Sequence, residues 1–364
     1  MIRKERHSIA LQLKSLELTS FAAIGESPSP GAFLSGVEMK YDVIGIGYPL
    51  LDKVIEVNED FILNTGLRRA SMNLINSEQS RKLLSMLDTN SVKDSAGGSV
   101  PNTLASVCSL GGKSLFIGMI GNDNYGNIYR RLIEELGVTI NLKSCNEIQG
   151  TSVIMVTPDA ERTMATHLGA GMNLTKEHIN LDDISNSKIL HIEGYQLDGE
   201  KQREAVLHAM EHAKKNNILI SIDLADPALI ERHRDKINMI IKDYADIIFA
   251  NEDEAEMLTG KKPIEAVEEI KKFCKIAIVK IGEKGSLVMD KDGLHKIKGF
   301  KVNTLNTTGA GDAYAGGFLY GISNGFDVKT SGKIASYVAA QVVASHDSMI
   351  KRSLQEEIKK IIKE

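Results

Sequence analysis

The chain has 364 residues, 42% of them hydrophobic and 25% charged, with 44 lysines and arginines against 48 acids and a formal net charge of −4. This is the composition of a globular protein with one substantial core and a smaller appendage; it argues against a polyanion-binding surface, and the scattered lysines exclude nucleic acid as the expected partner. Cys108, Cys145 and Cys274 lack metal-ligand spacing and no apolar run approaches the ~18 residues that span a bilayer, so the expectation is a reduced, cytoplasmic protein without structural zinc or membrane anchor.

Residues 1–38 open basic, with Arg3, Lys4 and Arg6, and run into Ser27-Pro28-Ser29-Pro30-Gly31; they read as a flexible extension or as a start placed too far upstream of Met39. The run 41–47 is short, apolar and ends in glycine, the form of a buried parallel strand. Asp52 follows at its carboxyl end, where open α/β sheets bind ligands and a carboxylate accepts hydrogen bonds from sugar hydroxyls. A loop or capping aspartate is the plain alternative. Residues 54–75 and 138–171 mix short alternating runs, the second holding a hairpin over 151–156 and 162–168, and these two insertions are expected to form one small sheet. The remaining segments, 39–53, 76–137 and 172–364, are assigned to a large α/β domain.

Residues 77–87 read as an amphipathic helix with Ser77 as N-cap. Ala96-Gly97-Gly98-Ser99-Val100-Pro101-Asn102 then leads into a second helix that ends at Gly111-Gly112. From 173 onward strands (189–194, 218–224, 246–250) alternate with helices (200–215, 227–242), which predicts a doubly wound, mostly parallel sheet flanked by helices. His233-Arg234-Asp235 imitates a protein-kinase tripeptide, but Ile240 stands where that motif needs asparagine, so it reads as a solvated helix face. Asn251-Glu252-Asp253-Glu254 opens a helix, and capping alone accounts for acids there. A buried strand over 276–281 ends in Gly282-Glu283-Lys284-Gly285, followed by a hairpin turning at 290–293 and, further on, an apolar-faced helix over 333–345.

The stretch from Asn306 to Phe318, Asn-Thr-Thr-Gly-Ala-Gly-Asp-Ala-Tyr-Ala-Gly-Gly-Phe, joins an expected strand over 300–305 to an expected helix over 313–324. At Gly309-Ala310-Gly311 the minimal side chains leave the backbone N–H groups open, and the helix adds the partial positive charge of its N-terminus, which makes a place for an anion. Asp312 comes in the first turn, and a carboxylate beside an anion cradle suggests a base beside a transferred group. A simple N-cap is the bland reading, but a cap does not require Thr-Thr, Gly-Ala-Gly and Gly-Gly together. The dinucleotide fingerprint fails at Tyr314, and a P-loop fails because Val107 occupies its first glycine position.

This stretch resembles the second signature of the ribokinase-like (PfkB-type) family of sugar and nucleoside kinases, and residues 96–102 with Gly118-Met119-Ile120-Gly121-Asn122-Asp123 and Gly126 resemble the first. The resemblance implies that Gly309, Ala310 and Gly311 stabilise the phosphoryl group in flight and that Asp312 takes the proton from the substrate hydroxyl. It implies that Asp52, Gly97, Gly98 and Asn102 hold the acceptor, and that the small sheet is a lid carrying Arg162. Asn251 and Glu254 match an N-x-x-E motif that organises magnesium through water, while Lys280, Gly282, Gly285, Thr308 and His346 fall near the nucleotide. ATP and magnesium are the implied cofactors. Asn306 replaces a usual aspartate near a monovalent-cation site, which leaves potassium dependence open. The runs 157–164 and 192–195 look like the bacterial adenosine-kinase-like branch, so the expected activity is phosphorylation of a primary hydroxyl of an adenosine-like nucleoside or a sugar. Ribokinase- or fructokinase-type specificity is the alternative, since the chain has no tryptophan to stack on a base. A non-catalytic sensor should lack the base, and Asp312 is present. A monomer or a lid-mediated homodimer fits equally.

Overall fold

In the structure, a computed structural model, residues 39–88, 91–159 and 161–363 are described. The extension read over 1–38 lies outside them. In chain order the strands are β1 (Tyr41–Ile46), β2 (Leu50–Glu56), β3 (Met72–Leu74), β4 (Lys93–Gly97), β5 (Ser114–Gly121), β6 (Thr139–Cys145), β7 (Thr151–Val156), β8 (Arg162–His167), β9 (Ser187–Glu193), β10 (Leu219–Asp223), β11 (Ile247–Asn251), β12 (Ile276–Lys280), β13 (Ser286–Asp290) and β14 (Gly293–Ile297). Nine of them make one sheet in the order β14-β13-β12-β11-β10-β9-β1-β5-β6, parallel from β12 to β6, with the β13–β14 hairpin antiparallel at one edge.

The strands of this sheet alternate between two cores because successive side chains leave a strand on opposite faces. Ile44, Leu190, Ile248 and Val279 face a core with helices Glu200–Lys215 and Pro227–Tyr244. Val43, Ile189, Phe249 and Ile278 face the other, with helices Ser99–Ser109 and Ala310–Ser323. The doubly wound α/β architecture expected from the sequence is the one observed.

The other five strands form a small sheet in the order β3-β8-β7-β2-β4. One of its faces packs Ile55, Val153, Met155 and Ala165 against Ile62 and Leu83 of helices Glu59–Thr65 and Ser77–Ser85. Its membership departs from the sequence boundaries. β6, placed in the lid stretch, pairs with β5 from Leu115↔Thr139 to Gly121↔Cys145 in the large sheet, because Val138 and Leu142 bury beside Tyr129 and Ile133. Conversely β4 and the first half of β2, through Lys53, placed in the large domain, belong to the small sheet. Asp52 therefore does not end the first strand; it sits within β2, opposite Ser152 and Ser95.

Three local expectations are also corrected. Residues 300–305 form no strand: Phe300, Val302 and Leu305 are exposed, and Phe300 and Val302 line a cleft instead of a sheet. The cap of helix Ser77–Ser85 is Asn76, whose side chain and that of Gln79 satisfy each other's backbone N–H groups. The last core helix begins earlier than expected, at Val328, where Asp327 accepts from the Thr330 N–H.

Candidate active site

Asp312 lies in the first turn of helix Ala310–Ser323, and its carboxylate is gripped from helix Ser99–Ser109. Ser99 Oγ donates to Oδ1 at 2.6 Å, Asn102 Nδ2 donates to Oδ2 at 2.7 Å, and Thr103 Oγ1 donates to the Asp312 carbonyl at 3.2 Å. Burial raises the proton affinity of Asp312 above the ordinary aspartate value, while the bonds from Ser99 and Asn102 and the charge of Lys280 pull it back. Both side-chain donors favour the charged form of the carboxylate, against the burial that disfavours it.

Gly309 precedes the helix with φ +80°, and a side chain there would meet the Ser348 carbonyl at 2.3 Å, so only glycine fits. The helix it opens runs for 14 residues, and Ala310 and Gly311 follow without bulk, so its first turn lines a cleft of 1260 Å³, with the Ala310 N–H donating to the Thr307 carbonyl at 3.2 Å. That volume exceeds the roughly 300–1,000 Å³ of a single small-ligand site and has room for a nucleotide.

Asn251, Glu254, Lys280, Gly282 and Gly285 lie on the walls of the same cleft, together with Asp223. Lys280 Nζ donates to Asp223 Oδ2 at 2.8 Å, and the surrounding Asp223 and Glu254 charges outweigh burial and raise its pKa. Glu254 is the third residue of its helix and forms a capping box with Asn251: its Oε2 accepts from the Asn251 N–H at 2.8 Å and its Oε1 from Asn251 Nδ2 at 2.7 Å. Burial pushes its carboxyl up to about 7, against the lowering effect of Lys280. With both oxygens engaged, and with no cluster of three or more His, Cys, Asp or Glu side chains suited to a metal among the described residues, Glu254 and Asn251 fit a magnesium ion held through water and substrate phosphates rather than a protein-built metal cage. The anion cradle, the lysine and the cleft fit a polyphosphate.

Of the expected acceptor residues, all of which lie outside the cleft walls, Asn102 is the link to Asp312. Asn102 touches it directly; Gly97 lies against Asp52, where a side chain would fall 2.3 Å from the carboxylate, and Gly98 begins the helix that carries Asn102. Burial pushes the Asp52 carboxyl up to about 7, opposed by the guanidinium of Arg162. Arg162 Nη2 also donates to the His346 carbonyl at 3.4 Å, and Asn306 Nδ2 donates to the same carbonyl at 3.3 Å. His346 itself is exposed and Thr308, whose N–H is held by Asn306 Oδ1 at 2.9 Å, lies outside the cleft walls.

Three residues of the site were not picked out from the sequence. Ser99 stands in the sequence only as part of a glycine-rich turn. Glu193 and Asp223 close parallel strands β9 and β10, the position where such sheets bind ligands, and that rule would have found both. Glu193 is buried beside Ser99 and Asp312; burial first, and the Asp312 charge second, hold its carboxyl well above the usual range, and its Oε1 has no hydrogen-bond partner.

The sequence profile of the pfkB family carbohydrate kinases matches residues 69–354. The 5-dehydro-2-deoxygluconokinase of Clostridium perfringens is 30% identical over 282 residues, 73% of this chain and 83% of that protein. The enzyme of that name from Listeria monocytogenes serotype 4a is 29% identical over 291 residues, 76% and 89% of the two chains. Among solved structures, the adenosine kinase of Sinorhizobium meliloti superposes with a TM-score of 0.81 at 30% identity over 88% of this chain and 99% of that one. A probable sugar kinase of Rhizobium etli gives 0.82 at 30% identity, covering 88% and 98%. With the profile spanning most of the described residues and the fold shared over 88% of the chain, the chain belongs to the pfkB family of carbohydrate kinases, ATP-dependent phosphotransferases acting on sugars and nucleosides.

Proposed function

We propose that the enzyme transfers the γ-phosphoryl group of ATP to a primary hydroxyl of an adenosine-like nucleoside or a sugar, with Asp312 as general base. The observation that carries this is the carboxylate of Asp312 held by Ser99 and Asn102 at the mouth of a helix whose first-turn residues line the same cleft. The hydroxyl oxygen attacks phosphorus as its proton passes to Asp312, and the electron pair of the broken P–O bond leaves with ADP. The amides of Gly309, Ala310 and Gly311 receive the charge on the transferred group's oxygens. Magnesium, held through water by Asn251 and Glu254, supplies charge neutralisation on the phosphates when bound.

On the acceptor side, Asp52 takes hydroxyl hydrogen bonds and the small sheet acts as a lid, with Arg162 at its rim. A second reading, a sugar acid, draws on Arg162: its half-buried guanidinium faces Asp52 and spends one donor on the His346 carbonyl, which leaves donors for a carboxylate. The 5-dehydro-2-deoxygluconokinase relatives favour the same class. The exposed Met72 and Leu74 on edge strand β3 give a second copy a place to pair, so a monomer or a small-sheet dimer both remain consistent with this reading.

The test is ADP release with magnesium-ATP across adenosine, other nucleosides, ribose, fructose, fructose phosphates and 5-dehydro-2-deoxygluconate. Turnover of a nucleoside or a neutral sugar supports the first reading and turnover of the sugar acid alone supports the second. Absence of turnover with every acceptor contradicts both.

A further inference from the structure

We propose that the Lys280 ammonium is the protein's own cationic contact for the phosphoryl group in transfer, and that Asp223 positions it. The proposal deepens, and rests on, the reading of Asp312 as the base of a phosphotransferase.

Lys280 ends β12 with its side chain 15% exposed, and its ammonium reaches past the end of β11 to Asp223 Oδ2. Asp223 is itself pinned: Oδ1 accepts from the Ala225 N–H at 3.1 Å, in a turn where Ala225 adopts φ +68°. A side-chain carbon added to Gly311 would lie 3.2 Å from Lys280 Nζ, so the ammonium rests directly over the first turn of helix Ala310–Ser323. A cation there is badly placed for the helix alone, because that end of the macrodipole is already positive. Two positive features converging on one point of a cleft make sense when an anion is to lie between them. The ammonium has three donors, and the bond to Asp223 is the one it makes among the described residues, so two remain for oxygens in the cleft.

The competing account is structural: Asp223, Glu254 and Asp312 all lie close, and a lone lysine in that group is simply their counter-ion. The two accounts separate at Gly311. A counter-ion has no need of a bare helix turn, whereas a phosphoryl contact needs the ammonium within reach of the group that the Gly309–Gly311 amides hold. In the proposed step the hydroxyl oxygen bonds to phosphorus, the bond from phosphorus to the ADP oxygen breaks, the proton goes to Asp312, and Lys280 stays protonated while donating to a phosphoryl oxygen.

The experiment compares wild type with Lys280→Met, Lys280→Arg and the double variant Lys280→Met/Asp223→Leu, which removes both charges so that no unpaired carboxylate is left buried. Affinities for ADP alone and for ADP with aluminium fluoride, a mimic of the phosphoryl group in flight, are measured in magnesium buffer beside turnover. The expected result is a loss of about 10²-fold or more in kcat and in aluminium-fluoride complex affinity for both methionine variants, with ADP affinity nearly unchanged. Lys280→Arg should recover only part, since the wider guanidinium does not fit against Gly311 in the same place. Recovery of wild-type turnover or of aluminium-fluoride affinity in the double variant shows a purely structural counter-ion and overturns the proposal. If no acceptor is turned over, or Asp312→Asn is as active as wild type, the general-base reading fails, and the aluminium-fluoride affinities still decide the role of Lys280 without any acceptor.

Discussion

Asn102 donates its side-chain amide to Asp312 at 2.7 Å although 210 residues separate them, so the first glycine-rich stretch of the chain holds the proposed base supplied by the last. Removing the base should stop chemistry without emptying the site. Asp312→Asn is expected to lower kcat by about 10²–10⁴ while ATP and acceptor affinities measured by calorimetry stay close to wild type. Affinity lost in step with kcat would assign Asp312 to binding instead.

The bond from Asn102 lowers the proton affinity that burial raises on Asp312. Asn102→Ala should therefore move the acidic limb of the kcat–pH profile to higher pH, because the base then stays protonated further up the scale. An unmoved limb, with only KM for the acceptor raised, would make Asn102 a substrate contact alone.

Gly97 leaves no room for a side chain beside Asp52, since an added carbon would come within 2.3 Å of the carboxylate. Gly97→Ala should displace Asp52 and raise the acceptor KM several-fold or more, with the ATP KM little changed and the fold intact by circular dichroism. Equal changes in both KM values would show that the two halves of the site are not separable in this way.

Asp52 rises from 3.8 to about 7 on folding and Glu254 from 4.5 to about 7, both chiefly through burial. Between each pair of values the folded protein holds a proton that the unfolded chain has released. Raising the pH through that window therefore favours unfolding, so the ligand-free protein should lose stability as pH climbs from near 4 to near 7 and level off above. Thermal midpoints across that range should show the decline, and Asp52→Asn should flatten part of it. A slope unchanged in the variant would remove Asp52 as a source.

Asn306 bridges two loops: Oδ1 accepts from the Thr308 N–H, and Nδ2 donates to the His346 carbonyl, which also receives Arg162. An aspartate there would set two oxygens face to face and call for a cation between them. Wild-type activity is accordingly expected to be indifferent to potassium. Asn306→Asp should be less active in choline buffer and regain activity when potassium is added; potassium stimulation of the wild type would contradict the reading.

Much of the architecture was legible because it is written in local pattern. Runs such as Ile276-Ala277-Ile278-Val279 bury on both faces, and the alternation of such runs with amphipathic helices implies a doubly wound sheet whatever the rest of the chain does. The helix cradle at Gly309–Gly311 was equally local, since it depends on consecutive residues with little or no side chain. Sheet membership was not. β2 and β6 are both seven-residue strands that mix apolar and polar residues, yet one joins the small sheet and the other the large one, because pairing is chosen by which partner edge is free and which apolar neighbours are near.

The same division runs through the site. One stretch of sequence suffices to say that an acid follows an anion cradle, because both features are built within a single helical turn. That Ser99 and Asn102 grip that acid, that Glu193 is buried next to it without a partner for one oxygen, and that Lys280 lies over Gly311 while bound to Asp223 were decided only when the chain folded. Hydrogen bonds and charges act over a few ångströms of space irrespective of separation along the chain, so the order of residues names the groups while the packing of strands and helices sets which of them meet.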